Sequence, residues 1–178
     1  MDDLARHRLC RLLEPLHDEL RAFAHRLCRS AAEGDDLFQD AAMRALVKLD
    51  GLRDDGAFRF WFYRVLLSVH RNRTRRPFWS RLVPLADGVG AEAAVAPADM
   101  GGAERMRAAL AALSPVQREA IVLHELQGLT VEEVAGAQGV SASAVKSRLS
   151  RGRTRLRSIY RKRFAVVADA EARASSDI

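Results

Sequence analysis

Ser143, Lys146, Ser147, Arg148, Ser150 and Arg151 crowd one short stretch, and each carries a side-chain hydrogen-bond donor. On a helix, at about 100° per residue, Ser143, Lys146, Ser147, Ser150, Arg151 and Thr154 share one side, with Arg148 and Arg155 on its flank. Donors so arranged fit base edges and phosphates in a major groove. No acidic residue occurs from Val134 to Arg163, whereas Arg153, Arg157, Arg161, Lys162 and Arg163 extend the basic run. This is the charge pattern of a DNA footprint. A solvated basic helix end is the bland alternative, but the capping, turn and face signals described below agree independently of charge.

Two other groupings carry chemistry. In AFRFWFYRVLLSVHRNR, from Ala57 onward, Phe60, Tyr63, Arg64, Leu67 and Arg71 share the side opposite the apolar stripe, just before Arg73, Arg75 and Arg76. Aromatics interleaved with cations suit stacking on unpaired bases and contact with their phosphates. The alternative is that Phe60 and Tyr63 pack under a linker or against a second domain. HRLC occurs twice, at His7–Cys10 and His25–Cys28, and each His/Cys pair is an acceptable zinc half-site at i, i+3. On one continuous helix the pairs would lie about 27 Å apart, so shared ligation needs a reversal near Pro15. Otherwise the cysteines are small core residues and no metal is held. A zinc hydrolase has no nucleophile or general-base set here beyond those histidines.

The elements that position these groups are marked by their ends. Ser114, Pro115 and Gln117 have the order of an N-cap, a first-turn proline and a capping-box acceptor. The helix they open has Val116, Ile121, Val122 and Leu126 as its apolar side, and Gly128 stops it. Thr130 and Glu133 form a capping box for a second helix, with Leu129 and Val134 placed as a hydrophobic staple. Gly139 and Val140 interrupt that helix before Ser141 caps a third, whose inner stripe is Val145, Leu149, Gly152 and Leu156. Two short helices about a glycine turn make a helix-turn-helix.

Upstream, Leu9, Leu12, Leu13, Leu16, Leu20, Phe23, Ala24 and Leu27 keep a helical period broken only by Pro15. Ser30 to Gly34 reads as a polar break, after which Asp35 or a neighbouring acid caps a helix. That helix turns Leu37, Phe38, Ala41, Ala45, Leu46 and Leu49 inward and leaves Asp36, Gln39, Asp40, Met43 and Arg44 outside, an acidic face that composition alone reads as simply solvated. Asp50 to Gly56 reads as a loop. The following helix buries Phe58, Trp61, Phe62, Val65, Leu66 and Val69, and Pro77 is expected to end it. Proline, glycine and small residues from Phe78 to Gly102 read as a linker, and Glu104 to Leu113 as a further helix. The expected organisation is an all-α chain of two small helical domains, 1–76 and 104–164, joined by a flexible linker at 77–103 and followed by a tail at 165–178.

The 178 residues are 48% hydrophobic and 6% aromatic with a formal net charge of +6, which suits helical cores and a polyanionic partner. Acids cluster from Asp35 to Asp55 and bases dominate after Val134, which implies a second partner that is not DNA. The start MDDLARHR lacks a secretion signal, no apolar run approaches the roughly 20 residues of a membrane span, and two cysteines require no disulfide. A cytoplasmic protein without a cofactor is expected.

With these segments in place, the chain resembles an extracytoplasmic-function sigma factor of the sigma-70 family, a small bacterial RNA polymerase subunit carrying regions 2 and 4. DDLFQDAAMRAL is similar to region 2.2, FRFWFYRVLLSVHRNRTRR to regions 2.3 and 2.4, and the stretch LSPVQREAIVLHELQGLTVEEVAGAQGVSASAVKSRLSRGRTRLR to region 4. The resemblance implies no enzyme activity. It implies core polymerase as partner through the clamp helices of the largest subunit, met by Asp36, Gln39, Asp40 and Arg44. It implies promoter DNA as the second partner. The minus-ten element would meet the loop Gly51–Gly56, with Arg53, and Phe60, Tyr63, Arg64 and Arg71; the minus-thirty-five element would meet Ser143, Lys146, Ser147, Arg148, Ser150 and Arg151. An anti-sigma factor is the third implied partner, and membrane insertion is not implied. Leu67, Ser68 and Asn72 replace the arginine, asparagine and aspartate common in the family, so its minus-ten preference does not transfer; Gly152 replaces a usual alanine. A helix-turn-helix repressor whose front half dimerises or senses a ligand is the rival reading.

Overall fold

The computed structural model describes residues 3–80 and 101–163, with side chains through Thr74 in the first segment and Arg161 in the second. Among the described residues eight α-helices carry the fold: α1 (Asp3–Leu13), α2 (His17–Leu27), α3 (Ala31–Lys48), α4 (Phe58–Ser80), α5 (Gly102–Ala111), α6 (Pro115–Ile121), α7 (Val131–Gln138) and α8 (Ala142–Arg163). No strand occurs among the described residues. The linker expectation, apart from its two ends, and the tail lie outside them.

Pro15 sits in a single 3-10 turn, Glu14–Leu16, which divides the first apolar run into α1 and α2. The start of α3 differs from the expectation. The Ser30 hydroxyl accepts from the Glu33 amide at 3.1 Å, and the Glu33 carboxylate accepts from the Arg29 amide at 3.1 Å, so the helix begins at Ala31 rather than at Asp35. Gly34 lies inside it because α2 and α3 touch there: a Cβ on Gly34 would stand 2.3 Å from His25 Cδ2 and 2.7 Å from His25 Cα. Nor does Pro77 end α4, whose backbone stays helical to Ser80. Proline lacks the amide donor, but its fixed φ is itself helical.

In the second half, α6 begins at Pro115 as expected, although the Ser114 side chain makes no cap hydrogen bond. Ile121 and Val122 are buried, whereas Val116 and Leu126 are partly exposed. At Leu126 the helix end is rotated by a π-turn, Val122–Leu126: the Gln127 amide bonds five residues back to the Val122 carbonyl at 3.1 Å. Gly128, at φ +70°, completes the exit.

The two halves pack into one continuous apolar core. Helix α4 lies against α7, and α2 against α5 and α6. Consequently α4 is buried on two sides. Phe58, Phe62 and Leu66 face α3 and its neighbours as expected, but Tyr63 and Leu67, expected outside, are 0% and 1% exposed.

Candidate nucleic-acid interface

The helix-turn-helix follows from three local devices. Thr130 and Glu133 cap α7 reciprocally, the Thr130 amide donating to the carboxylate at 2.8 Å and the Glu133 amide to the hydroxyl at 3.2 Å. Those bonds from Thr130 hold the Glu133 carboxyl below its usual value. Gly139 at φ +68° ends α7, and Ser141 accepts from the Ala144 amide at 3.3 Å to start α8. Val145, Leu149 and Gly152 are buried and Leu156 is half-buried, so α8 seats its inner stripe on α6. Gly152 lets the two helices approach closely, since a Cβ there would stand 2.9 Å from Ile121 Cγ1.

The opposite side of α8 presents Ser143, Lys146, Ser150, Arg151, Thr154 and Arg155 to solvent. Ser147 is half-buried, and its hydroxyl accepts from Arg151 Nη2 at 2.6 Å. Arg148 is half-buried too. Its Nη1 donates to the Gln138 side-chain carbonyl at 2.8 Å, and Gln138 in turn donates to Glu119 at 3.2 Å and to the Val116 carbonyl at 3.1 Å. Arg153, on the edge, pairs with Glu125 at 2.5 Å.

On the front half, Asp36, Gln39, Asp40 and Arg44 all lie on the exposed side of α3. They share it with Met43 and Val47, which are 59% and 77% exposed. Between α3 and α4, two 3-10 turns leave Arg53 at the surface. Arg8 of α1 braces this loop by donating to Asp55 at 2.6 Å and to the Leu52 carbonyl at 2.8 Å, and Arg11 adds a bond to Asp55 at 3.0 Å.

The α4 group divides. Arg64 is exposed, and with Ser68, Arg71 and Asn72 it lines a polar cleft whose far wall is Gly136–Gly139. Phe60 is half-buried against α7, with its Cζ 3.3 Å from where a Gly136 Cβ would be. Tyr63 is not a surface stacking group: its ring lies edge-on to Phe23 at 4.8 Å, and its hydroxyl meets Glu19 and, at 3.0 Å, the side chain of Gln127. Burial, followed by the bond to Glu19, pushes the phenol well above its ordinary value. Arg59 reinforces this corner by donating to Glu19 at 2.7 Å and to the Gln127 carbonyl at 3.0 Å.

Arg71 meets Glu119 of α6 in a two-point contact, Nη2 to Oε2 at 2.6 Å and Nε to Oε1 at 3.2 Å. Glu119 is 0% exposed. Burial alone would raise its carboxyl, but His70 and Arg71 outweigh that and hold it below the usual range. His70 Nδ1 stands 3.7 Å from Oε1, beyond hydrogen-bond reach. Arg118, the next buried cation, donates to the carbonyls of Leu27 at 2.6 Å, Leu110 at 2.8 Å and Ala111 at 2.9 Å, and among the described residues it pairs with no carboxylate. Nothing in the local sequence marked Glu119, Gln127 or Arg118 as contacts between the halves, because their partners are 48 to 91 positions away.

The repeated HRLC does not converge on a metal centre. His7 bonds the Asp3 carbonyl at 2.7 Å and His25 bonds Asp35 at 2.8 Å, while Cys10 is exposed and Cys28 buried. Among the described residues no three His, Cys, Asp or Glu side chains gather to hold an ion.

Comparison with known proteins agrees with this architecture. Residues 12–77 match the sigma-70 region 2 family and residues 103–156 match sigma-70 region 4. The chain is 32% identical over 142 residues to the ECF RNA polymerase sigma factor EcfG of Rhodopseudomonas palustris, covering 77% of this chain and 76% of that one. It is 31% identical over 140 residues to SigM of Mycobacterium tuberculosis, covering 79% and 70%. The structure superposes on the sigma factor RpoE of Bartonella quintana, crystallised with the anti-sigma factor NepR, with a TM-score of 0.67, 30% identity, and 84% and 94% coverage. CnrH, solved with the cytosolic domain of CnrY, shares the fold at a TM-score of 0.62 and 23% identity, with 89% and 96% coverage. A helix-turn-helix with an acid-free outer face, joined to a second helical module matching region 2, therefore places this chain in the extracytoplasmic-function RNA polymerase sigma factors.

Proposed function

We propose that the chain is a promoter-specificity subunit with no covalent chemistry of its own, working in the cytoplasm in two modules, 1–76 and 104–164, joined by the linker 77–103. Helix α3 meets the clamp helices of core polymerase through Asp36, Gln39, Asp40 and Arg44, with Met43 and Val47 supplying apolar area between them. Arg53, Phe60, Arg64 and Arg71 meet the melted minus-ten strand. The α8 face, Ser143 to Arg151, meets the minus-thirty-five duplex. Tyr63 supports the minus-ten surface from beneath instead of stacking on a base, because its ring and hydroxyl are already engaged. Two modules held on one scaffold gain by effective concentration, so neither needs high affinity alone. An anti-sigma protein is the further partner, supported by the relative solved with one.

The observation that carries this reading is the coexistence of two unlike exposed faces in one chain: the mixed acidic and apolar side of α3 and the wholly basic and hydroxylic side of α8. Binding to sigma-free core polymerase and to promoter duplex tests it. Asp40→Ala should weaken core association, whereas Arg151→Ala should leave it intact and weaken upstream duplex binding. Equal loss of core affinity in both variants would contradict the assignment.

A further inference from the structure

We infer that Gln138 is the positioning residue behind the base preference of Arg148, holding one edge of its guanidinium while leaving the charge free for DNA; this deepens the promoter reading above and rests on it. Gln138 is the last residue of α7, just before the left-handed Gly139 turns the chain towards α8, and it is 5% exposed. Its side-chain amide is fully used. The nitrogen donates to the Val116 carbonyl at 3.1 Å and to Glu119 at 3.2 Å, and the oxygen accepts from Arg148 Nη1 at 2.8 Å. Two acceptors at one end and one donor at the other admit a single orientation of the amide. Its partners lie on α6 and α8, so the arrangement is built within the helix-turn-helix itself.

That the holding group is an amide matters. Glu119 is close enough to bond Gln138, yet Gln138 and not that carboxylate meets Arg148. A carboxylate would offset the arginine's charge, as Glu125 does for Arg153. The neutral carbonyl fixes direction and leaves the charge in place. It also takes only one of the five N–H groups, and among the described residues the other four meet no acceptor. Arg151, by contrast, is tied only to Ser147 of its own helix. An arginine fork oriented beforehand loses less freedom when it meets the two acceptors on the edge of a guanine. A loose one at the same place would find phosphates as readily, and phosphates carry no sequence.

The test loads full-length wild type and variants onto core polymerase and selects from duplexes randomised over the minus-thirty-five element, with salt slopes and urea midpoints measured alongside. Arg148→Ala identifies the base pair that Arg148 reads. Gln138→Met, which keeps the volume and loses the amide, should lower the preference at that same base pair about tenfold. Other positions and the salt slope should not change, because no charge is lost. Gln138→Ala, which admits water to Val116 and Glu119, is the second loss variant and carries the same expectation. Gln138→Glu keeps an acceptor for Arg148 but gives up the donors to Val116 and Glu119, so it should retain the preference while unfolding at lower urea. The inference is overturned if the loss variants weaken all duplexes equally or at a different base pair, if Gln138→Glu loses the preference with them, or if Arg148→Ala alters no position. Failure of the promoter reading looks different: the wild type would not load onto core, or its duplexes would return unselected at every position.

Discussion

Arg73 of α4 donates to the Asp40 carboxylate of α3 at 2.5 Å and to the Asp36 carbonyl at 2.9 Å. The face proposed to meet polymerase is thereby tied to the helix proposed to meet DNA. Both side chains are partly exposed, so the pair contributes at most about 1 kcal/mol to stability. Arg73→Ala is predicted to leave the unfolding midpoint nearly unchanged yet weaken core association, because Asp40 loses its fixed orientation. In a double-mutant cycle the Asp40→Ala and Arg73→Ala losses in core affinity should sum to more than the double variant shows. Strict additivity would separate the two residues functionally.

The α8 face predicts a salt signature. Lys146 is exposed and suited to a phosphate, so Lys146→Ala should reduce the slope of log affinity against log salt for upstream duplex by about 1, uniformly across sequences. If Arg151 reads a base edge, Arg151→Ala costs about 1–3 kcal/mol and relaxes preference at one position. Titrations of duplexes with single base changes distinguish these outcomes.

Acid should open the protein. Arg21 and His25 hold the Asp35 carboxyl down at about 2, and Glu119 is held below its usual value by His70 and Arg71 against the opposing effect of burial. Both folded values lie below those of the unfolded chain, so the stability these carboxylates contribute is complete above the unfolded value, about 4, and is lost as pH falls through the folded values. Denaturant midpoints should hold between pH 7 and 5 and fall between about pH 4 and 2. Glu119→Gln should give a lower but flatter profile; an unchanged slope would remove Glu119 from this account.

Two glycines should resist replacement. Alanine usually gains about 1 kcal/mol over glycine inside a helix. At Gly34 the added carbon would collide with the His25 backbone, so Gly34→Ala should destabilise by about 1–3 kcal/mol. At Gly152 the obstacle is the buried Ile121 side chain at 2.9 Å, so Gly152→Ala should give no net gain, and pairing it with Ile121→Val should recover part of the helix contribution. Urea unfolding of the four chains measures both effects.

What could be read directly from the chain was local. The Thr130–Glu133 box, the left-handed Gly128 and Gly139, and the α8 stripe depend on residues within a turn or two of one another. Ser30 and Glu33 carry the same capping signal, but Gly34 reads as a breaker in the sequence, whereas its smallness serves the approach of α2. The burial of Tyr63 and Leu67 was not legible, because α4 acquires its second buried side only when the other half of the chain folds onto it. For the same reason the pairing of Arg71 with Glu119 was not legible: the two are 48 positions apart. Periodicity shows which side of a helix is apolar, not how many sides will be covered.

Adding the purified chain to sigma-free core polymerase and mapping transcript starts genome-wide tests the central claim most directly. The account predicts starts at a restricted set of promoters that share two spaced elements, lost with Asp40→Ala and shifted or weakened with Arg151→Ala. Binding as a symmetric dimer to a palindromic operator, with no association with core and no new starts, would contradict it.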